Sequence, residues 1–353
     1  MSNLKIKNMQ NIQNTKKIII FMAMMMLVAI FMLYFKIHKT ELLVYQENIN
    51  PSKNTTREMT PPKLTATSSP IIPVKTIPQV VLPKITPILA PETKPKATET
   101  PTDYGTAFLE DFSTNYSVVE SDNLQDSTSP GWWLGSGAYF YSTDGISSTI
   151  LGPLDAKDPW RKTYSTSNPE DTDDGYYPQN IFRLVLLRHK WLNFQQELSF
   201  KIINSNLSKS WNRNSSNGVF FFNRFQDENN LYYSGIRVDG AAVIKKKYKG
   251  VYYDLALKQF YKNETYDRET NPNLIPEQKW FGLRSEINTN SDNTVTIKLY
   301  IDKDGTGNWI LAAQGKDDGE SHGGKAILDE GYAGIRTDFM DVQFDNYKVT
   351  KVL

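Results

Sequence analysis

Residues 280–302 read WFGLRSEINTNSDNTVTIKLYID. Two parts of this stretch, Phe281–Ile287 and Val295–Ile301, alternate at period two and are rich in β-branched and aromatic side chains. Such alternation sends one set of residues to a core and the other to water, the mark of a half-buried strand. The same pattern recurs at Ala107–Phe112, Ile181–Leu187, Glu197–Ile203, Gly218–Phe225, Leu231–Val238 and Val251–Leu257, and again at Ala333–Arg336 and Val342–Val349. Asp239-Gly240, Lys249-Gly250, Asp304-Gly305 and Asp318-Gly319 supply turn signals between runs. No helical periodicity longer than about ten residues interrupts them. About a dozen short strands in about 250 residues predict an all-β, two-sheet sandwich, and the size favours a large jelly roll over an immunoglobulin-like module.

This body spans 102–353, and the chain before it differs in composition. The whole sequence of 353 residues has 40 Lys+Arg, 39 Asp+Glu and a net charge of +1. Residues 1–50 and 51–101 carry +4 each, which leaves −7 on the body. An acidic body argues against a nucleic-acid partner, because phosphate binding needs a basic face. The absence of cysteine excludes disulfides, thiolate metal sites and cysteine nucleophiles. The three histidines are His38, His189 and His322. His38 adjoins the apolar N-terminal run, so the body has too few for a three-histidine zinc site.

Ile18–Phe35, IIIFMAMMMLVAIFMLYF, contains neither charge nor proline. At about 1.5 Å per residue it nearly matches a hydrocarbon core of about 30 Å. Lys5, Lys7, Lys16 and Lys17 precede it, and Lys36 and Lys39 follow. The small excess on the N-terminal side places residues 1–17 in the cytoplasm and the rest outside. A cleaved signal would carry a shorter apolar region and a small-x-small site, which Lys36-Ile37-His38-Lys39 does not offer. The expectation is therefore an uncleaved single-pass membrane anchor over 18–35. A juxtamembrane segment and stalk follow over 36–101, where residues 51–101 hold 11 of the 18 prolines. Proline at that density blocks helix and ladder alike and leaves extended polyproline II, at about 3.1 Å per residue.

The start of the body, Phe108-Leu109-Glu110-Asp111-Phe112-Ser113, and its end, Gly331–Arg336 with Phe344-Asp345-Asn346-Tyr347-Lys348-Val349, resemble the first and last strands of concanavalin A-like lectin/glucanase jelly rolls, the laminin-G-like group included. Trp280–Asp302 is similar to their back-sheet hairpin, as is Arg224–Gly240, RFQDENNLYYSGIRVDG. The resemblance covers nearly all of the body. It implies the fold, which hosts lectins, glycosidases, lyases and inert adhesion modules alike.

Family 16 glucanases of this fold use a Glu-x-Asp-x-x-Glu strand. The nearest match here, Glu120-x-Asp122-x-x-Gln125, ends in an amide that cannot exchange a catalytic proton. Alginate-lyase relatives use Gln-x-His, which does not occur, and Lys247–Tyr252 only superficially matches their tyrosine-rich motif. With standard catalytic sets missing, the first expectation is a carbohydrate-binding module for a polysaccharide or other glycan. The alternatives are a hydrolase or lyase with a different catalytic set, and a structural adhesion module.

Sugar binding needs flat aromatic faces and side chains that orient hydroxyls. Leu154–Asn180 is a long polar stretch carrying Trp160, Arg161, Tyr164, Tyr176 and Tyr177. With Trp132 and Trp133 it is the candidate rim, although the same aromatics could pin the loop to the core. Arg183 and Arg224 lie in strands and could turn to a concave face or pair elsewhere. Oxygen ligands are plentiful and soft ones absent, so the metal to expect is Ca²⁺. The resemblance implies a structural Ca²⁺ between first and last strands, held by Glu110 or Asp111 and by Asp345. Asp302-x-Asp304-Gly305 reads as a hairpin turn, and Asp171, Asp173 and Asp174 as a solvated acidic cluster.

Overall fold

In the computed structural model, residues 107–352 are described; the anchor and stalk expected at 18–35 and 36–101 lie outside them. Among the described residues no helix is long and apolar enough to cross a membrane. The chain runs through β1 (Ala107–Glu110), β2 (Tyr116–Val119), β3 (Trp132–Ser136), β4 (Tyr139–Thr143) and β5 (Ile146–Thr149). A helix, α1 (Pro159–Ser167), precedes β6 (Ile181–Leu186), β7 (Phe194–Ser205), β8 (Gly218–Asp227) and β9 (Asn230–Arg237). Then come β10 (Ala241–Tyr248), β11 (Val251–Gln259), β12 (Trp280–Thr289) and β13 (Val295–Asp302). Last are β14 (Ile310–Asp317), β15 (Tyr332–Asp338) and β16 (Met340–Lys351).

These strands form two antiparallel sheets, the expected all-β sandwich. The first has the order β14-β13-β12-β7-β16-β5-β4-β2, with β1 also on β16; the second has the order β11-β10-β9-β8-β15-β6-β3. The stretch 280–302 is the β12–β13 hairpin, Leu283 facing Ile301 and Ile287 facing Ile297. First and last strands pair, Phe108 opposite Val349. Leu283, Ile287, Ile297 and Leu299 from one sheet meet Leu184, Phe221, Ile244 and Ile335 from the other in the inter-sheet core.

Alternation found the long strands but not β2–β5, β10 or β14. β2–β5 have only four or five residues each, too few for a period to show. β10, AAVIKKKY, ends in a lysine run that reads as solvated. Yet Lys246 is wholly buried on the inner face, its Nζ 2.8 Å from Asp317 Oδ2 and 2.9 Å from the Gly324 carbonyl.

The second sheet departs from the usual one-face rule. In β8, Gly218–Phe225 is buried throughout. Val219 and Phe221 enter the inter-sheet core, while Phe220, Phe222 and Phe225 join Trp133, Val185, Tyr233 and Val243 in a second apolar layer. An antiparallel sheet commonly packs one face and wets the other. Here the outer face is apolar too, and part of it is left as a cleft.

Candidate functional site: a cleft on the outer face of the second sheet

The cleft encloses about 290 Å³ between β3, β6, β8, β15 and the β10–β11 hairpin. Trp133, Phe222, Phe225 and Tyr233 make its floor. Gly135 is needed there: a Cβ at this position would stand 2.9 Å from the Trp133 ring, so only glycine lets the indole lie along its own strand. The indole N–H donates to the Ser121 carbonyl at 3.0 Å, which fixes the ring.

The rim is charged. Arg183 on β6 and Arg336 on β15 face each other in register. Both bind Asp338, Arg183 through Nη2 at 2.9 Å and Arg336 through Nε at 2.9 Å. Arg336 Nη1 donates to the Tyr252 hydroxyl at 3.4 Å, and Lys247 Nζ stands 5.0 Å from the centre of the Tyr252 ring. Tyr252 is 46% exposed and is the open aromatic face of the site. Burial works against ionising its phenol, but Arg336 and Lys247 outweigh it and bring Tyr252 down to about 8. Tyr233, 5.8 Å away ring to ring, is pushed up, above all by burial.

The predicted site residues scatter. Trp132, 2% exposed, lies in the inter-sheet core against Phe140 and Tyr347, so no sugar ring reaches it; adjacent strand residues point to opposite faces, and only Trp133 reaches the cleft. Arg183 also lies in the cleft. Arg224 does not: it is wholly buried, its guanidinium donating to the Leu192 and Ile327 carbonyls and to Thr289 Oγ1.

Leu154–Asn180 is an ordered flap rather than an open loop. Asp158 caps α1 by accepting from Trp160 N at 2.8 Å, with Pro159 opening the helix. Trp160 packs on Tyr139 and Tyr164. The Tyr164 hydroxyl donates to Glu120 Oε2 and accepts from Gly137 N, so the discounted glucanase-like carboxylate braces the flap. Arg161 stacks 3.6 Å over Tyr176, and Tyr177 precedes a short 3₁₀ turn, Pro178–Asn180. None of Trp160, Arg161, Tyr164, Tyr176 and Tyr177 lines the cleft. Asp171 and Asp173 are not merely solvated either, since they accept from Ser210, Asn212 and Ser208. The Asp302 carboxylate does fold a hairpin turn, accepting from Asp304 N and Gly307 N.

Glu110, Asp111 and Asp345 sit near the β1–β16 junction, but each carboxylate is already bonded to a neighbouring amide, of Phe112, Ser113 and Asn346 respectively. Burial first, then the Asp111 charge, holds Asp345 above its ordinary range. Among the described residues the one set of three ligand atoms within 4.8 Å of one another is Asp317, Asp318 and His322. The Ca²⁺ expectation concerns a pair, Glu110 or Asp111 with Asp345, on which a set of three has no bearing.

Sequence reading did not single out Phe222, Tyr233, Lys247, Tyr252 or Arg336 as site residues. The usable signal was the run VFFF, 219–222, whose unbroken apolarity requires cover on both faces.

No family model and no curated protein matches the sequence. Solved structures do resemble it. The carbohydrate-binding module CBM66 from Bacillus subtilis aligns with 64% of this chain and 98% of its own, at 13% identity and a TM-score of 0.39. The GH43 protein BlXynB from Bacillus licheniformis gives 12% identity and 0.39 over 73% of this chain, which spans only 41% of that larger protein. A B. subtilis protein of galectin-like fold gives 10% identity and 0.38, over 70% of this chain and 96% of its own.

Proposed function

We propose that the body binds a polysaccharide in the cleft on the outer face of the second sheet. We propose further that residues 18–35 hold it at a membrane, with 36–101 as spacer. The observation that carries the binding reading is the apolar outer layer rimmed by Arg183, Arg336, Lys247 and Tyr252. A sugar ring offers C–H faces to an aromatic floor and hydroxyls to planar donors at the rim, and the cleft supplies both. Its volume lies near the lower end of the usual range of about 300–1,000 Å³, which suits about one or two sugar units. Glycoside hydrolysis by the usual route needs two facing carboxyls. Among the described residues lining the cleft, Glu228 is the only carboxylate, which favours binding over cleavage.

The test is the affinity of the full chain, in detergent, across a polysaccharide panel. Tyr252→Ala should weaken binding about tenfold or more, because it removes the exposed ring. Its melting temperature should hardly move. A panel in which cleft variants bind as tightly as the parent would refute the assignment.

A further inference from the structure

The cleft concentrates positive charge in a body that is otherwise acidic. Arg183, Arg336 and Lys247 stand against Glu228 and the shared Asp338, a net +1, whereas residues 102–353 carry −7. Arg183 and Arg336 are directly opposed across β6 and β15. Like charges so placed repel, and one carboxylate cannot neutralise both. Burial, and then the nearby Arg336 charge, press Arg183 below the ordinary arginine range against the pull of Asp338.

Two of these cations have capacity to spare. Arg336 commits Nε to Asp338 and lies over the Tyr233 ring, but among the described residues its outer edge makes one hydrogen bond, the 3.4 Å contact with Tyr252. Lys247 meets no carboxylate among the described residues; its contact is the Tyr252 ring. Both therefore border the same exposed aromatic face. A guanidinium edge matches the two oxygens of a carboxylate, and an ammonium adds a point charge beside it.

We propose that the polysaccharide taken by the cleft is acidic, with a sugar carboxylate, such as that of a uronic acid, seated between Lys247 and the free edge of Arg336. The proposal rests on the glycan-binding reading above and narrows its ligand. Glu228 is exposed and makes no ion pair with either cation among the described residues, so it leaves both available.

The experiment measures binding of the full chain in detergent to alginate, polygalacturonate, methyl-esterified polygalacturonate, dextran sulfate and neutral xylan, at low and high salt. The acid polymers should bind at least about tenfold tighter than the ester or xylan, and high salt should erode the difference. Lys247→Gln should remove about tenfold of that preference while leaving the melting temperature unchanged; Arg336→Gln is the second variant. Equal affinity for acid and ester would overturn the acidic ligand and leave the cleft reading standing. Binding of no polysaccharide would overturn both. Binding of dextran sulfate alone would overturn the carboxylate assignment. An acid preference that survives both substitutions would put the anion elsewhere on the molecule and overturn the seat proposed here.

Discussion

Trp132 and Trp133 are neighbours in the chain and lie on opposite faces of one sheet, so their truncation should read out differently. Trp132 is packed among Phe108, Phe140 and Tyr347. Trp132→Ala should cost about 3–5 kcal/mol of stability, as large aromatic deletions in cores do, which thermal or denaturant unfolding will show. Tyr252 gives a second residue-scale expectation, in pH. It is faced by Tyr233, Lys247 and Arg336, with Arg183 and Asp338 behind them. Below about 8 the phenol is neutral; above it a phenolate cancels one of the cations. Affinity for an acidic polysaccharide should therefore fall as pH rises through about 8, and Tyr252→Phe should remove that inflection. A flat profile in the parent would show that Tyr252 does not adjoin the bound anion.

At the scale of elements, α1 packs through Trp160 and Tyr164 and lies outside the cleft proposed to bind glycan. Asp158→Ala removes its cap and should cost about 1 kcal/mol, seen as a small drop in melting temperature with glycan affinity unchanged. Lost affinity in that variant would return the flap to the site. β7 was legible because it shows one wet and one dry face: Phe194, Gln196, Leu198, Phe200 and Ile202 are buried and the residues between them are not. α1 was hidden by its nine residues, although Asp158-Pro159 is a start signal of the ordinary kind. The cleft was harder to read. Arg336 meets Arg183 only through the β6–β15 register, and Tyr252 meets both only once β10 and β11 have folded back. Composition pointed to aromatic-rich Leu154–Asn180 instead, where the rings are consumed in packing the flap.

For the whole molecule, a basic N-terminal arm precedes an acidic body. If 18–35 is an anchor and 36–101 a spacer outside the cell, protease added to intact cells should release a body of about 250 residues by cutting within 51–101. Protection of that segment in sealed cells would reverse the orientation. The central claim, that polysaccharide binds on the outer face of the second sheet and not on the flap, is tested most directly by one paired titration. Tyr252→Ala and Trp160→Ala are compared in the full chain against the polysaccharide that binds the parent best. The account predicts at least about a tenfold loss for Tyr252→Ala and parental affinity for Trp160→Ala. Parental affinity for Tyr252→Ala with a comparable loss for Trp160→Ala would contradict it.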